Sequence, residues 1–238
     1  MPLPKISTPT YELEIPSTKK KIRYRPFLVK EEKILIIAME SQSDTEIANA
    51  VKDVLSTCIL TKGVKVDTLS TFDIEYLFLN IRGKSVGEDV EVLVTCPDDN
   101  KTKVPVRINL DDIKIITHDD HKRDIKLDDS LLMRMRYPSI NEFIKSNFST
   151  GEVKSEDTFD LIISCIEQIY NDEESWSTSD CTKEEMNDFL DQLNSNQFKE
   201  IEKFFDTMPK LSHTLTVNNP NTKVKSDIKL EGLAAFFA

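Results

Sequence analysis

Three times along this chain a run of alternating apolar and polar residues meets a polar turn and a second alternating run. Thr10–Ile15 sets Tyr11, Leu13 and Ile15 on one face and Glu12 and Glu14 on the other. Pro16, Ser17, Thr18 and Lys19 supply the turn, and Lys21–Arg25 returns with Ile22 and Tyr24 opposite Lys21, Arg23 and Arg25. Period two is the period of a strand with one buried face, so the pair reads as a hairpin. Its acidic and basic faces can pair across the strands. Asp89–Thr95 alternates in the same way through Val90, Val92 and Val94, turns at Cys96-Pro97-Asp98-Asp99-Asn100, and returns through Val104, Val106 and Ile108. Pro105 cannot donate to a ladder, which marks that returning strand as an edge. The last pair is Thr214–Val217 and Lys223–Leu230, joined at Asn218-Asn219-Pro220-Asn221.

Between the hairpins the apolar period changes to that of a helix. Val29–Glu40 groups Ile34, Ile37 and Ala38; a second helix, capped by Ser43 or Asp44, carries Ile47, Val51, Val54, Leu55 and Cys58. Thr71–Arg82 is apolar almost all round, which predicts deep burial. Leu110–Ile113 reads as a short helical turn and Leu131–Tyr137 as a strand. The spacing predicts helices over Ser139–Asn147 and Asp157–Tyr170, then an acidic, Ser-rich loop over Asn171–Asp180. Thr182 with Glu185 forms a capping box that opens Lys183–Leu193, and a last helix runs through Phe198, Ile201, Phe204 and Phe205 to Pro209. The fold class is α+β, with helices packed on several antiparallel hairpins. Two regions are expected, 1–138 and 139–238, or one continuous unit.

An internal echo supports a duplicated helix–hairpin module. Thr102-Lys103-Val104, Ile108 and Leu110–Ile113 match Thr222-Lys223-Val224, Ile228 and Leu230–Leu233 without a gap. Each copy follows a polar turn, an incoming strand and a Phe-rich helix. Shared turn chemistry alone is the alternative.

Composition excludes several functions. The net charge is -11, so a general grip on nucleic acid or on an anionic membrane is not expected. The longest apolar run, Ile34–Met39, is too short to span a bilayer, and the first residues lack the apolar core of a signal peptide. Cys58, Cys96, Cys165 and Cys181 form no CxxC pair; Cys58 and Cys165 sit in helical patterns and read as buried thiols of a reducing compartment. These features describe a soluble intracellular protein.

The search for chemistry finds little. No phosphate-binding glycine motif and no GxSxG elbow is present. His118-Asp119-Asp120-His121 could offer two imidazoles and a carboxylate to a metal, in a metal-dependent hydrolase. It continues as Lys122-Arg123-Asp124, and a solvated, flexible loop is the favoured reading. Cys96-Pro97 is half of a zinc knuckle, but Asp99 stands where a second Cys would fall, and the last turn offers only Asn218, Asn219 and Asn221. A degenerate zinc ribbon that binds nucleic acid is therefore an alternative short of ligands. His213 reads as a structural histidine. The basic strip Lys19-Lys20-Lys21, Arg23 and Arg25 reads as a solvated face. No catalytic, cofactor-binding or metal residue is expected, and no cofactor.

Thr71–Glu88 resembles a family: the baseplate hub assembly proteins of T-even-type contractile-tailed bacteriophages, cyanophage relatives included. Supporting stretches are Pro9–Leu13, Tyr24–Lys33, Met208–His213, Leu230–Leu233 and Phe236-Phe237, in order along nearly the whole chain. The resemblance implies a non-enzymatic role in building the baseplate hub within the infected bacterial cytoplasm, with the product either kept in the virion tail or released as an assembly factor. It also implies paired cysteines in the two later hairpins of some relatives. This chain keeps only Cys96, so core packing is expected to hold its hairpins. The expected partners are other hub or tail proteins, without nucleic acid or membrane. The candidate contact residues are Val104, Val106, Ile108, Val224, Ile228 and Leu230 on the hairpin edges, with Phe236 and Phe237 near the end.

Overall fold

The computed structural model describes residues 6–145 and 155–231. β1 (Tyr11–Glu14) and β2 (Lys21–Tyr24) pair antiparallel, with Glu12 opposite Arg23 and Glu14 opposite Lys21. Helices α1 (Val29–Glu40), α2 (Asp44–Cys58) and α3 (Thr71–Val86) follow, with a 3-10 turn at Val66–Thr68. β3 (Asp89–Thr95) and β4 (Lys103–Asn109) form the second hairpin; a 3-10 turn at Leu110–Asp112 leads to β5 (Lys114–Ile116). Next come β6 (Asp124–Lys126), β7 (Leu132–Met135), α4 (Ile140–Lys145), α5 (Ser155–Cys165), β8 (Ile166–Tyr170) and β9 (Ser175–Ser177). α6 (Lys183–Asp191), α7 (Ser195–Thr207), β10 (Lys210–Asn218) and β11 (Lys225–Glu231) complete the described chain. The architecture is α+β. Among the described residues no helix is long and apolar enough to cross a membrane.

The chain divides into two compact units, Met1–Ile116 with Lys210–Ala238, and Thr117–Pro209. The expected division at residue 138 falls inside the second, between β7 and α4. In the first unit α3 buries Phe72, Ile74, Leu77, Phe78, Leu79 and Ile81, which explains its nearly uniform apolar surface. β3 and β4 form one sheet, and β11-β10-β5 another. Their inner faces share a cluster of Val90, Val92, Val94, Ile108, Leu211, Leu215 and Val217. The second unit holds the sheet β6-β7-β8-β9 against α5, α6 and α7, around Met133, Met135, Ile166, Ile201 and Phe204.

Two expectations are corrected. The helix read over Asp157–Tyr170 ends at Cys165, and Ile166–Tyr170 is a strand. The cause is a register shift where β8 meets β7: Arg134 lies opposite Gln168 but Met135 opposite Ile166, leaving Glu167 extra. This bulge lets Ile166 and Ile169, three apart, both face the core, and so gives a strand the apolar spacing of a helix. The acidic segment Asn171–Asp180 is not all loop. It carries β9 and a 3-10 turn, with Asn171 Oδ1 accepting from the amides of Glu173 and Glu174 to make the bend.

The three expected hairpins share one turn. Ile15, Cys96 and Asn219 each accept a backbone hydrogen bond from the amide four residues on. Those fourth residues, Lys19, Asn100 and Lys223, have φ of 56°, 53° and 65°. Pro follows each leading residue, where its fixed φ suits entry to a turn. The leading residue is buried every time, at 2%, 0% and 0% exposed. By this pattern Cys96 corresponds to Asn219, whereas the sequence echo aligns Asp99 with Asn219. Val104 accordingly lies in β4 opposite Val94, while Val224 precedes β11.

Candidate functional site

The candidate contact residues divide by burial. Ile108 is buried opposite Val90. Val104, Val106, Ile228 and Leu230 are half-buried and pack on the shared cluster beneath. Val224, in the last turn, is 45% exposed. Phe236 and Phe237 lie outside the described residues. The inward side chains thus serve the chain's own core. What the strands present outward is backbone: among the described residues β4 pairs only with β3, and β11 lies at the end of its sheet. Such an edge offers unpaired N–H and C=O groups to a partner strand.

The two turns at the ends of these hairpins are tied to each other. Asn219 is fully buried, and its side-chain amide donates to Asp98 Oδ1 and Oδ2, both at 3.1 Å, and to Asp99 Oδ2 at 3.0 Å. The Thr222 hydroxyl donates to Asp98 Oδ2, and Asn221 Nδ2 donates to Thr102 Oγ1 at 2.9 Å. Asp99 also caps its own turn, accepting from the amides of Lys101 and Thr102. The Thr102 hydroxyl, the amides of Thr102 and Lys101, and Asn219 hold the Asp99 carboxyl well below the usual carboxylate range. The Thr222 hydroxyl and Asn219 lower Asp98 as well. Core packing was expected to hold these hairpins. A hydrogen-bonded clasp adds to it. The Asp, Asn and Thr content of both turns was the available signal, but nothing local indicates that one turn meets the other across 120 residues.

A metal at these turns would need lone pairs from both. Cys96 is a fully buried free thiol, pushed up by burial and by the neighbouring Asp98 and Asp99 carboxylates. In the other turn Asn219 directs its N–H donors at the Asp98 and Asp99 carboxylates. Among the described residues no group of three or more His, Cys, Asp and Glu is arranged to hold a metal ion.

The histidine segment is a largely exposed loop, as expected, with His121 as its exception. His118 is exposed, but His121 is half-buried. Its Nδ1 lies 3.0 Å from Thr207 Oγ1 and its Nε2 3.0 Å from the Tyr137 hydroxyl. The ring stacks on Tyr137 and leans on Phe204. Burial holds its imidazole below the ordinary value. With both ring nitrogens engaged, His121 anchors the loop to α7. Asp120 pairs with Lys203 at 3.0 Å on the same helix. His213 sits half-buried in β10 opposite Leu230. Of the basic strip, Lys19, Lys20, Lys21 and Arg23 are exposed, while Arg25 turns inward to Glu31.

A buried acid, missed in the sequence, secures the first turn. Asp73, in the first turn of α3, is fully buried and accepts from the Ser17 amide at 2.9 Å and from the hydroxyls of Ser17 and Ser70. Each hairpin turn is therefore fixed by Asp carboxylates outside its own strands or across its own loop. These carboxylates accept hydrogen bonds from serine and threonine hydroxyls, backbone amides and Asn219, and so brace the turns. The arrangement is one of rigid, presented strand edges.

The family model described as "T4 bacteriophage base plate protein" matches residues 8–238, nearly the whole chain. No curated protein and no solved structure matches.

Proposed function

The chain belongs to the family of T4 bacteriophage base plate proteins, and we propose that it is a non-enzymatic structural or assembly protein of the baseplate hub. It acts through contacts with other hub or tail proteins in the host cytoplasm during assembly, and is then either kept in the tail or released. The contacts lie along Lys103–Asn109 and Lys223–Leu230, with Phe236 and Phe237 as a further anchor. The observation that carries this reading is that, among the described residues, β4 and β11 are each paired on one side only. Their turns are clasped and their inner faces packed, so an incoming strand meets a pre-ordered edge and loses little in ordering it.

Val224→Asp and Val106→Asp test the edges, with circular dichroism and the unfolding midpoint checked first. The expected result for a folded variant is loss of incorporation into base plates assembled in infected cells. Wild-type incorporation by both folded variants would discard these edges as contacts. Mass spectrometry of purified particles then separates the two forms of the role: presence of the chain marks a virion subunit, and absence marks an assembly factor.

A further inference from the structure

Helix α1 hides little of its apolar surface. Of its residues, Glu31, Leu35 and Ala38 are buried, and their i, i+4, i+7 spacing puts them on one side. Val29 is 66% exposed, Ile36 50% and Ile37 66%. Ile34 and Met39 are exposed beside them. Val29, Lys33, Ile36, Ile37 and Glu40 follow one another at i, i+4, i+7, i+8 and i+11, along the side turned away from the buried three. Single exposed apolar residues are ordinary, whereas a contiguous stripe on one helix marks an interaction surface.

The charges in the stripe select its occupant. Lys33 stands three residues before Ile36, and Glu40 three residues after Ile37. Both are exposed. A second copy of α1 laid antiparallel, on a two-fold axis between Ile36 and Ile37, brings each Ile36 against the Ile37 of the other copy. The same operation sets each Lys33 against the opposite Glu40. A parallel copy would oppose Lys33 to Lys33 and Glu40 to Glu40. The stripe is thus self-complementary in both apolar and charged positions, which is what an isologous interface requires. We infer that the exposed face of α1 is a two-fold self-association surface, occupied by a second copy of this chain. The helix presents about three turns, so the interface is at the small end of specific contacts and the dimer is weak and concentration-dependent. This inference does not depend on the strand edges or on a hub role.

Sedimentation equilibrium of the full chain across a concentration series, into the hundred-micromolar range, tests it. The wild type is expected to shift from the mass of one chain towards that of two. Ile37→Glu, at an exposed position that leaves the fold intact by circular dichroism, is expected to stay at one chain throughout. Lys33→Glu and Glu40→Lys each place two like-charge pairs in the dimer and weaken it by about tenfold. The double swap restores opposite charges and recovers the wild-type constant within about twofold. A wild type that stays at one chain at every concentration overturns the inference, including where another base plate protein captures it. So does a dimer indifferent to Ile37→Glu, or single-swap losses that the double swap fails to recover.

Discussion

Two corners of the molecule are built alike and differ in depth. In the first, Arg25 follows β2, and its backbone amide donates to the carbonyl of Cys58, the last residue of α2, at 3.0 Å. Its guanidinium reaches Glu31 at 2.9 Å, and Glu31 also accepts the Leu28 amide at 2.8 Å to close the start of α1. In the second, Arg136 follows β7 and donates to the carbonyl of Cys165, the last residue of α5, at 2.7 Å. Its guanidinium grips Glu142, which accepts the Ser139 amide at 2.9 Å at the start of α4. Each Arg precedes its Glu by six residues, with a Pro between. A strand leaves, a cation turns back onto a helix N-terminus, and a buried thiol closes the next helix. The difference is exposure: the Glu31 side chain is 2% exposed and that of Glu142 26%. One hydrogen-bond pattern therefore carries two different energetic stakes, because desolvation sets the cost of breaking an ion pair.

The largest effect expected is at the buried corner. Arg25→Met leaves the Glu31 carboxylate buried without its main partner and should cost about 3–5 kcal/mol. Arg136→Met, at the half-buried second corner, should cost less, about 1–2 kcal/mol. Urea unfolding midpoints of the two variants check the contrast. Equal losses would mean that connectivity, rather than burial, sets the worth of these corners.

Acid should separate the corners next. Burial alone would raise Glu31, but the hydrogen bonds from Arg25, the Leu28 amide and Lys30 outweigh it and bring the carboxyl from 4.5 to about 2. Its folded value lies below its unfolded one, so its stabilisation is full above about 4.5 and is lost as pH falls towards 2. That shift corresponds to about 3 kcal/mol. Glu142 is lowered in the same direction, against its own burial, by Arg136 and Ser139. Glu31→Gln should flatten the acid limb of the stability–pH curve more than Glu142→Gln does. A wild-type curve already flat between pH 4.5 and 2 would show that Glu31 is not held as the hydrogen bonds imply.

The thiols give a smaller, chemical contrast. Burial pushes Cys58 up to about 11 and Cys165 up to about 12, with Arg25 and Arg136 only partly offsetting it. At pH 8 the thiolate fraction is then on the order of one in a thousand for Cys58 and one in ten thousand for Cys165. Iodoacetamide labelling read by peptide mass spectrometry should find half-buried Cys181 modified first and Cys165 last. Labelling of Cys165 ahead of Cys58 would reverse the assigned order of thiol acidity.

Much of the fold was legible because strands and helices announce themselves by period. The first hairpin is one example: Tyr11, Leu13, Ile22 and Tyr24 alternate, and Tyr11 does pair with Tyr24. The failures have local causes. β8 was read as helix because a bulge at Glu167 reset its spacing to three. The clasp was missed because Asn219 looks like a solvated turn residue, and only a turn 120 residues away makes its burial tolerable. The paired corners were missed because each Arg follows a strand and its Glu, six residues on, lies in the next helix, so no single period links them; they meet only where the chain bends. Ser139 with Glu142 was readable as a capping box, and the start of α4 rests on it. The baseplate resemblance came from ordered short stretches, and the family match over residues 8–238 bears it out at the level of the base plate.

The capping residues supply the finest test of the comparison. Ser139 offers a hydroxyl that meets the Glu142 amide at 3.4 Å, so α4 has both halves of the reciprocal arrangement. Leu28 has no side-chain oxygen, and α1 is left with the Glu31 half alone. Leu28 is 43% exposed, so its replacement forfeits the covered part of the side chain, which keeps any net gain small. Leu28→Ser is expected to raise stability by no more than about 1 kcal/mol, read as the unfolding midpoint, by giving the Glu31 amide, which donates to the Leu28 carbonyl at 2.9 Å, the side-chain acceptor that the Glu142 amide of α4 has. Ser139→Ala should lose about the same amount. If Leu28→Ser gains nothing while Ser139→Ala still loses, the buried Arg25–Glu31 pair already holds the first turn of α1 rigid, and burial substitutes for the cap.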